Sequence, residues 1–290
     1  MFSKKLLIAL LTIAIIGTAA IVLGCASSIT TPTPAPAGSV SATPAPLSGT
    51  ISVAGSSSVG PHIEGYIKPA FEALQKGVKV NVLISDSGTG IKTTEAGDCD
   101  IGMSSRALNP ADGADLIGTV IAYDGIAVII SNSNIVESLS KQQIIDIFSG
   151  KITNWKDVGG SDAAIDVYQR EAASGTRSAF NDLVMKPTNV TDRALQAANT
   201  LNMIQSVKGN PRAIGYCSYG ELSSDVKALK IDGVAPTQAT IKDKTYPIQR
   251  PFLLVTKGQP TKPAVIEFIK FVMSKDGQDI LTKNNLVSIL

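Results

Sequence analysis

The sequence predicts an α/β fold built from parallel sheets that are covered by helices. Short segments rich in valine and isoleucine recur from residue 50 onward, and several end at a glycine- or serine-rich turn that leads into a helical pattern. Strands joined through helices in this way run parallel. Ligands of such sheets bind off the carboxyl ends of the strands.

The predicted elements follow one another in a regular order. Strands are expected at residues 51–54, 78–84, 100–103, 123–131, 165–168, 213–218, 226–231 and 252–255. Helices are expected at 63–74, directly after 87–90, and at 141–148, 177–186, 192–208 and 265–272. Roughly 240 residues of folded chain are enough for one large domain or two smaller ones.

Residues 1–24 are interpreted as a lipoprotein signal peptide rather than as part of the fold. Lys4 and Lys5 precede an apolar run over residues 6–23, and the sequence Val22-Leu23-Gly24-Cys25 resembles a lipobox. Cys25 then becomes the lipidated N-terminus. The alternative is an uncleaved membrane anchor, because about 18 apolar residues can span a bilayer. Both interpretations predict an extracytoplasmic protein tethered to the outer face of the cell membrane.

Residues 25–48 are predicted to be a linker, since their Thr, Pro, Ala and Ser content cannot bury a core. Of the 26 Lys and Arg residues, Lys4 and Lys5 lie in the signal peptide, and the other 24 match the 24 acidic residues. Without a basic excess, no nucleic-acid partner is expected. No cluster of His, Cys and carboxylates has the spacing of a metal site, so no metal and no cofactor are predicted.

Cys99 and Cys217 could form a disulfide after export or remain as two buried thiols, and the sequence leaves both open.

Four predicted strand ends carry serine, glycine and threonine in similar combinations: Ser56-Ser57-Ser58, Ser87-Gly88-Thr89-Gly90, Ser104-Ser105 and Ser174-Gly175-Thr176. Helix N-termini offer free N–H groups to an anion, and hydroxyls add further donors. Arg170 can hold a tetrahedral oxyanion through two N–H groups. Together these features predict an oxyanion site. Each segment alone is also typical of a helix N-cap, and the alternative for Arg170 is a salt bridge with Glu171.

These segments together resemble the phosphate-binding protein of the phosphate ABC transporter, the PstS family. The resemblance runs from about residue 50 to the C-terminus. It rests on the order and spacing of segments 55–59 (GSSSV) with Pro61, 87–90 (SGTG), 100–106 (DIGMSSR), 123–128 (YDGIAV), 147–155 (IFSGKITNW), 170–176 (REAASGT) and 213–216 (AIGY). The Ser-Ser-Arg motif at 104–106 is similar to that of one branch of the family.

The resemblance implies a two-lobe, type II periplasmic-binding-protein-like fold. Each lobe would be a mostly parallel sheet flanked by helices, and two crossover strands would join them. Lobe I is expected at 49–125 plus 247–290, and lobe II at 126–246. The implied function is capture of inorganic phosphate between the lobes and its delivery to the permease of an ABC transporter, by a monomer without enzyme activity. The implied ligand contacts are Ser57 or Ser58, the Val59 backbone, Ser87, Arg170, Ser174, Gly175 and Thr176.

The sequence departs from the family pattern at Ser105, where well-known members have an aspartate that accepts the proton of phosphate and rejects sulfate. The hypothesis is that Asp124 supplies this acceptor, although Asp124 could also only cap a turn. Asp86 is the second candidate. Arg106 would add a positive charge to the site or form a salt bridge at its rim.

Three alternative functions remain open. The first is binding of another oxyanion such as sulfate, molybdate or tungstate. The second is an exported phosphatase with Ser57 or Ser174 as nucleophile, but such a serine needs an adjacent base, and His62 is the only histidine. The third is an adhesive lipoprotein that has lost the site.

Overall fold

The computed structural model describes residues 46–290. The predicted signal peptide, Cys25 and the linker up to residue 45 lie outside the described residues. The first half of the described chain forms β1 Ser48–Ser56, α1 Gly60–His62, a π-helical segment Ile63–Ile67, α2 Lys68–Leu74, β2 Gly77–Ser85, α3 Ser87–Ala96, β3 Ile101–Ser104, β4 Leu116–Ser131, β5 Ser138–Leu139 and α4 Lys141–Phe148.

The second half continues the alternation of strands and helices. It forms β6 Asp166–Arg170, α5 Gly175–Phe180, a π-helical segment Asn181–Met185, β7 Leu195–Ala197, α6 Thr200–Lys208, β8 Ala213–Ser218, β9 Val226–Ala228, β10 Lys230–Ile231, α7 Gln238–Lys242, β11 Gln249–Lys257, α8 Pro263–Met273 and α9 Lys275–Lys283. Short 3₁₀ helices cover Pro110–Asp112, Trp155–Val158 and Tyr219–Glu221.

The strands form two groups, each built around parallel strands. Strand β4 pairs antiparallel with β11 of the first group and with β8 of the second. In the first group β1 lies between β2 and β3, parallel to both, and β11 pairs antiparallel with β3. In the second group β6 lies between β7 and β8, parallel to both. The predicted α/β class with parallel strands is therefore confirmed.

The chain passes between the two groups at two places. The first part of β4, up to Gly125, pairs with β11, and the following part, from Ile126 to Ile130, pairs with β8. β11 begins at Gln249, directly opposite Gly125. The chain therefore crosses between the groups twice, through β4 and through the segment that enters β11.

Each group has its own hydrophobic core. One core draws its buried residues from 51–122 and 252–286 and includes the contacting rings of Phe71 and Phe268. The second group has two clusters of buried residues. One is drawn from 126–248 plus Val287, and Phe180 stacks on Tyr216 within it at 4.1 Å between ring centroids. The other is drawn from 127–226. This distribution fits the predicted lobe limits except for Ile248 and Val287. Both lie where the chain crosses, and Val287 forms a β-bridge with Tyr123. The lobe limits themselves stay a prediction.

Two of the predicted elements are wrong, and the short strand β5 was not predicted. The expected helix over 192–208 is the strand β7 followed by α6, because residues 195–197 pair with β6 and Asn199 caps the helix that begins at Thr200. The expected strand over 226–231 is two strands, since β9 pairs with β4 and β10 with β5. Helix α9 was not predicted. Among residues 46–290, no helix is long and apolar enough to cross a membrane.

Candidate functional site

The first donor segment follows β1 and leads into α1. The Ser56 hydroxyl accepts the N–H groups of Ser58 at 3.2 Å and Val59 at 3.3 Å, and so takes the local turn-stabilising role. Ser57 and Ser58 are left free of that role, and both are buried. The predicted backbone donor of Val59 therefore already has a partner within the turn.

The second donor segment opens α3, and Asp86 is its N-cap. The Asp86 carboxylate accepts the N–H of Thr89 at 2.7 Å and the Thr89 hydroxyl at 2.9 Å. Asp86 thus stabilises the helix start, and each of its carboxylate oxygens already accepts a hydrogen bond. Ser87 then faces the third segment, because its oxygen accepts the N–H of Ser105 at 3.1 Å and lies 3.2 Å from the Ser105 oxygen.

The fourth segment opens α5 in the second lobe. Ser174 caps the helix by accepting the N–H of Arg177 at 3.2 Å, so Gly175 and Thr176 form its first turn. Arg170 ends β6, immediately before this segment, and only 1% of it is exposed. The hydroxyl of Tyr216 accepts the backbone N–H of Arg170 at 3.2 Å, which fixes the point where the arginine leaves the sheet.

Hydroxyls and Arg170 meet between the two lobes. Arg170 donates from Nη2 to Ser57 Oγ at 3.0 Å and from Nη1 to Thr200 Oγ1 at 3.0 Å. Ser58 Oγ lies 3.1 Å from Thr176 Oγ1 and 3.3 Å from Thr200 Oγ1. Side chains from four separate segments therefore converge on one buried region.

Glu171 balances the charge of Arg170. Its carboxylate accepts Arg170 Nε at 2.7 Å and Nη2 at 2.6 Å. The salt bridge considered as the alternative for Arg170 is therefore present together with the contact to Ser57. Pairing with the carboxylate uses two of the five N–H groups of the guanidinium, and three remain for other acceptors.

Asp124 forms a second buried ion pair, with Arg250. Asp124 Oδ2 accepts Arg250 Nε at 3.1 Å and Nη2 at 2.9 Å, and Oδ1 accepts the N–H of Gly220 at 3.1 Å. Burial raises the pKa of Asp124, and the positive charge of Arg250 opposes this rise. Arg250 Nη1 in turn donates to Thr176 Oγ1 at 2.7 Å and to the Ser105 carbonyl at 3.1 Å.

The structure brings most of the predicted residues together, and three are linked only indirectly. The cluster contains Ser57, Ser58, Ser87, Ser105, Arg170, Gly175 and Thr176. Ser174 adjoins it as the N-cap of α5. Asp124 is linked to the cluster by hydrogen bonds through Arg250. Val59 is linked to it by the turn that Ser56 stabilises. Arg106 lies apart from the cluster, in an ion pair with Asp112 at 2.6 Å, as one of its two predicted roles required.

Thr200 and Arg250 were missed by the sequence analysis. Thr200 follows the N-cap of a helix, which is the signal used for the other segments, but it lay inside a segment assigned to one long helix. Arg250 was visible as a charged residue at the start of an apolar strand, in Gln249-Arg250-Pro251.

A cavity of about 460 Å³ lies beside the cluster, lined by Ser57 and Thr200 among others. A larger cavity of about 580 Å³ in the second lobe shares no lining residue with it and contains none of the cluster.

In residues 46–290, no group of three or more His, Cys, Asp and Glu side chains could hold a metal ion. The imidazole of His62 is buried, with Nε2 3.2 Å from Glu221 Oε1. Neither Ser57 nor Ser174 hydrogen-bonds to His62, so the described residues hold no serine–histidine pair at the cluster. Cys99 and Cys217 are both free thiols.

Comparisons with known proteins agree with this architecture. Residues 40–276 match the family model of the PBP superfamily domain. The phosphate-binding protein PstS of Bacillus subtilis (strain 168) is 31% identical over 248 residues, which cover 83% of this chain and 81% of that protein.

Two solved structures are similar to this chain over most of its length. A phosphate ABC transporter substrate-binding protein from Clostridium perfringens, with bound phosphate, is 40% identical with a TM-score of 0.81, and the match covers 83% of this chain and 100% of that one. An ABC-type phosphate transport receptor from Vibrio cholerae is 31% identical with a TM-score of 0.69, over 82% and 99% of the two chains. With its two-lobe type II fold, the chain therefore belongs to the PBP superfamily and, within it, to the PstS family of phosphate-binding proteins.

Proposed function

We propose that this protein is an extracytoplasmic solute-binding lipoprotein that captures inorganic phosphate between its lobes and delivers it to the permease of an ABC transporter. The observation that carries this proposal is the convergence of buried hydroxyls from both lobes on the Arg170 guanidinium, which contacts Ser57 and Thr200. Neutral donors with one charge-balanced arginine suit a dehydrated tetrahedral oxyanion.

The proposed ligand shell follows from the geometry of the cluster. Hydroxyls can turn from one another toward a bound oxyanion without backbone movement. Gly175 lets the start of α5 approach the ligand closely, because it has no side chain. The residues proposed to bind phosphate are Ser57, Ser58, the Val59 backbone, Ser87, Ser105, Arg170, Ser174, Gly175 and Thr176, with Asp124 in a supporting role. To bind the ligand, the Val59 N–H exchanges its Ser56 partner for phosphate.

The geometry changes the role expected of Asp124. Both carboxylate oxygens already accept hydrogen bonds, from Arg250 and from the N–H of Gly220. Asp124 therefore acts on the site through Arg250, which it holds in place and whose charge it balances, and not as the acceptor of the phosphate proton, because an arginine between them can only donate. Direct contact would need Asp124 to use a remaining lone pair.

Lobe movement and a membrane anchor complete the proposed function. The lobes close on phosphate by hinge motion, and the closed form docks on the permease as a monomer, without catalysing a reaction. Lipidated Cys25 tethers the chain to the membrane through the linker. Mass spectrometry of the purified protein tests the anchor, because an N-terminus at Cys25 carrying diacylglycerol is expected there.

The function itself is tested by calorimetry with phosphate, arsenate, sulfate and molybdate. Tight binding of phosphate and arsenate is expected, with sulfate much weaker. Phosphate at 100 times its Kd should stabilise the folded protein by about 2.7 kcal/mol and raise its Tm accordingly. Tighter binding of sulfate or molybdate would assign a different oxyanion. Hydrolysis of a chromogenic phosphate ester by the protein would instead support the phosphatase.

A further inference from the structure

Arg250 is a buried arginine at the hinge, which is formed by the two crossovers between the lobes. Its side chain contacts both lobes. Arg250 is 2% exposed and lies near the start of β11, where the second crossover enters that strand. Its strand partner in register is Asp124, on the first crossover. Two nitrogens bind Asp124, and Nη1 binds Thr176 in the second lobe and the Ser105 carbonyl in the first.

The contact with Arg250 restricts the hydrogen bonds that the Thr176 hydroxyl can make. A hydroxyl has one hydrogen to donate and lone pairs to accept with, and an arginine can only donate. Because Thr176 Oγ1 accepts from Arg250 at 2.7 Å, its own hydrogen is left to point elsewhere. The neighbouring group in the cluster is Ser58 Oγ, at 3.1 Å. The bond from Arg250 thus occupies one lone pair of Thr176 and leaves its hydrogen available to donate to Ser58 or to a ligand in the site.

The contact with Ser105 acts on the opposite lobe. The Ser105 carbonyl accepts from the same Nη1 at 3.1 Å, which fixes the turn that presents the Ser105 hydroxyl to Ser87. One guanidinium nitrogen thus links a donor loop of each lobe. Moving the lobes apart about the crossovers would change the geometry of at least one of these two bonds.

We propose that Arg250 is a positioning residue of the phosphate site, which holds the Thr176 hydroxyl as a donor and ties the Ser105 turn to the hinge. This inference rests on the proposed function. Asp124 in turn holds Arg250 in place and balances its charge. Through the bond from Arg250 to the Ser105 carbonyl, the Asp124–Arg250 pair holds the position at which the sequence departs from the family pattern.

The chain offers a matched control in Arg106 and Asp112. They form a bidentate pair in the same lobe, with distances of 2.6 and 2.7 Å, and make no hydrogen bond to the cluster. Removing either pair as a double variant avoids leaving one buried charge without its partner. The two double variants are Arg250→Gln with Asp124→Asn, and Arg106→Gln with Asp112→Asn.

The experiment measures phosphate Kd by calorimetry and the Tm without ligand for wild type, both double variants, Thr176→Val, and the triple variant that combines Thr176→Val with the Arg250 pair. The Arg250 pair is expected to weaken phosphate binding by about tenfold or more, as for loss of a charge-assisted hydrogen bond. The control pair should leave Kd within about twofold, in line with the small worth of pairs outside the site. In the Thr176→Val background, the Arg250 pair should weaken binding much less than it does alone.

Each outcome decides a different point. A lower Tm with unchanged Kd for the Arg250 pair would reduce Arg250 to a structural role and overturn the inference. Fully additive losses with Thr176→Val would also overturn it. Should the Arg250 pair fail to fold, Thr176→Val alone decides, since an unchanged phosphate Kd there contradicts the inference. Absence of phosphate binding by the wild type would instead overturn the proposed function, and this inference with it.

Discussion

The α-carbon of Gly175 lies against the hydroxyl of Ser87 across the interlobe contact, so closely that a methyl group at position 175 would overlap Ser87 Oγ. Ser87 is the first residue of α3 and Gly175 the first of α5. Two helix N-termini from opposite lobes therefore approach each other here. The approach is possible because position 175 has no side chain.

Gly175→Ala is expected to impair phosphate binding while the fold remains intact. Alanine is a better helix former than glycine, so the Tm without ligand should stay the same or rise slightly. The overlap with Ser87 when the lobes close should cost about 1–3 kcal/mol, which corresponds to a loss of about 5- to 150-fold in affinity. Calorimetry and thermal unfolding measure both quantities.

Gly65→Ala is the matched control, because Gly65 is also helical and nothing lies within 4 Å of a methyl group there. Equal phosphate affinities for Gly175→Ala and Gly65→Ala would contradict the steric argument.

Arg170→Lys is expected to weaken phosphate binding by about tenfold or more. A lysine keeps the charge but cannot contact Ser57, Thr200 and Glu171 together as the planar guanidinium does. Isothermal titration with phosphate provides the measurement. Arg212→Lys, in a largely exposed pair with Asp166, is the control and should have little effect. A phosphate Kd for Arg170→Lys equal to that of the control would remove Arg170 from the site.

Asp124→Asn is expected to reduce phosphate affinity and to narrow the difference between phosphate and sulfate. The change removes the charge that balances Arg250, and an uncompensated positive charge near the site favours the fully ionised sulfate dianion. Competition titrations with both anions give the ratio of the two affinities.

Asp86→Asn serves as the comparison for Asp124→Asn. Asparagine caps a helix as well as aspartate does, so α3 and both affinities should be preserved. Unchanged phosphate affinity and unchanged sulfate rejection in Asp124→Asn would end the hypothesis that Asp124 contributes to selectivity.

Asp112 should make the stability of the protein depend on pH in the acid range. Burial alone would raise the pKa of Asp112, but hydrogen bonds from Arg106 and from the N–H of Asn109 outweigh it and hold the pKa below its ordinary value. A lowered pKa in the folded state contributes stability above the unfolded pKa of about 3.9, and this contribution is lost as the pH falls through the folded pKa.

Thermal unfolding without ligand between about pH 3 and pH 7 tests this dependence. The Tm of Asp112→Asn should lie below that of wild type at neutral pH, and the gap should shrink below about pH 4. A gap that stays constant over this range would contradict the assigned pKa direction.

The two thiols should differ in reactivity. Cys217 is fully buried on β8, and burial raises the pKa of its thiol well above the ordinary value, so little thiolate forms. Cys99 is partly exposed. Alkylation with iodoacetamide followed by peptide mass spectrometry should label Cys99 in the native protein and Cys217 only after unfolding. A disulfide-linked peptide containing both residues would contradict the free thiols.

The sequence predicted the strand ends well because each combines two local signals. A short apolar segment marks the strand, and serine or glycine at its end marks the start of a helix, as in Ser87 and Ser174. Both signals act over a few residues and need no knowledge of distant contacts. For the same reason β7 was mistaken for helix. Its residues have no strand signal of their own, and pairing with β6 decides their conformation.

The partners of charged residues could not be predicted, because they lie far apart in the chain. Asp124 and Arg250 are separated by 126 residues, and only the antiparallel pairing of β4 with β11 places them opposite each other. Asp124 was therefore assigned to the ligand without knowledge of the cation that holds it. Arg106 had two possible roles, and the nearby turn carrying Asp112 decided between them.

By itself, the sequence determined the α/β class, the four donor segments and the presence of Arg170 among them, because periodicity and turn residues are local properties of the chain. Only the tertiary structure decided which hydroxyls face one another, that Thr200 joins them, and that Arg250 links the hinge to Thr176. These are contacts between segments distant in sequence. They depend on how two sheets pack and how two strands cross between them, and no local pattern carries that information.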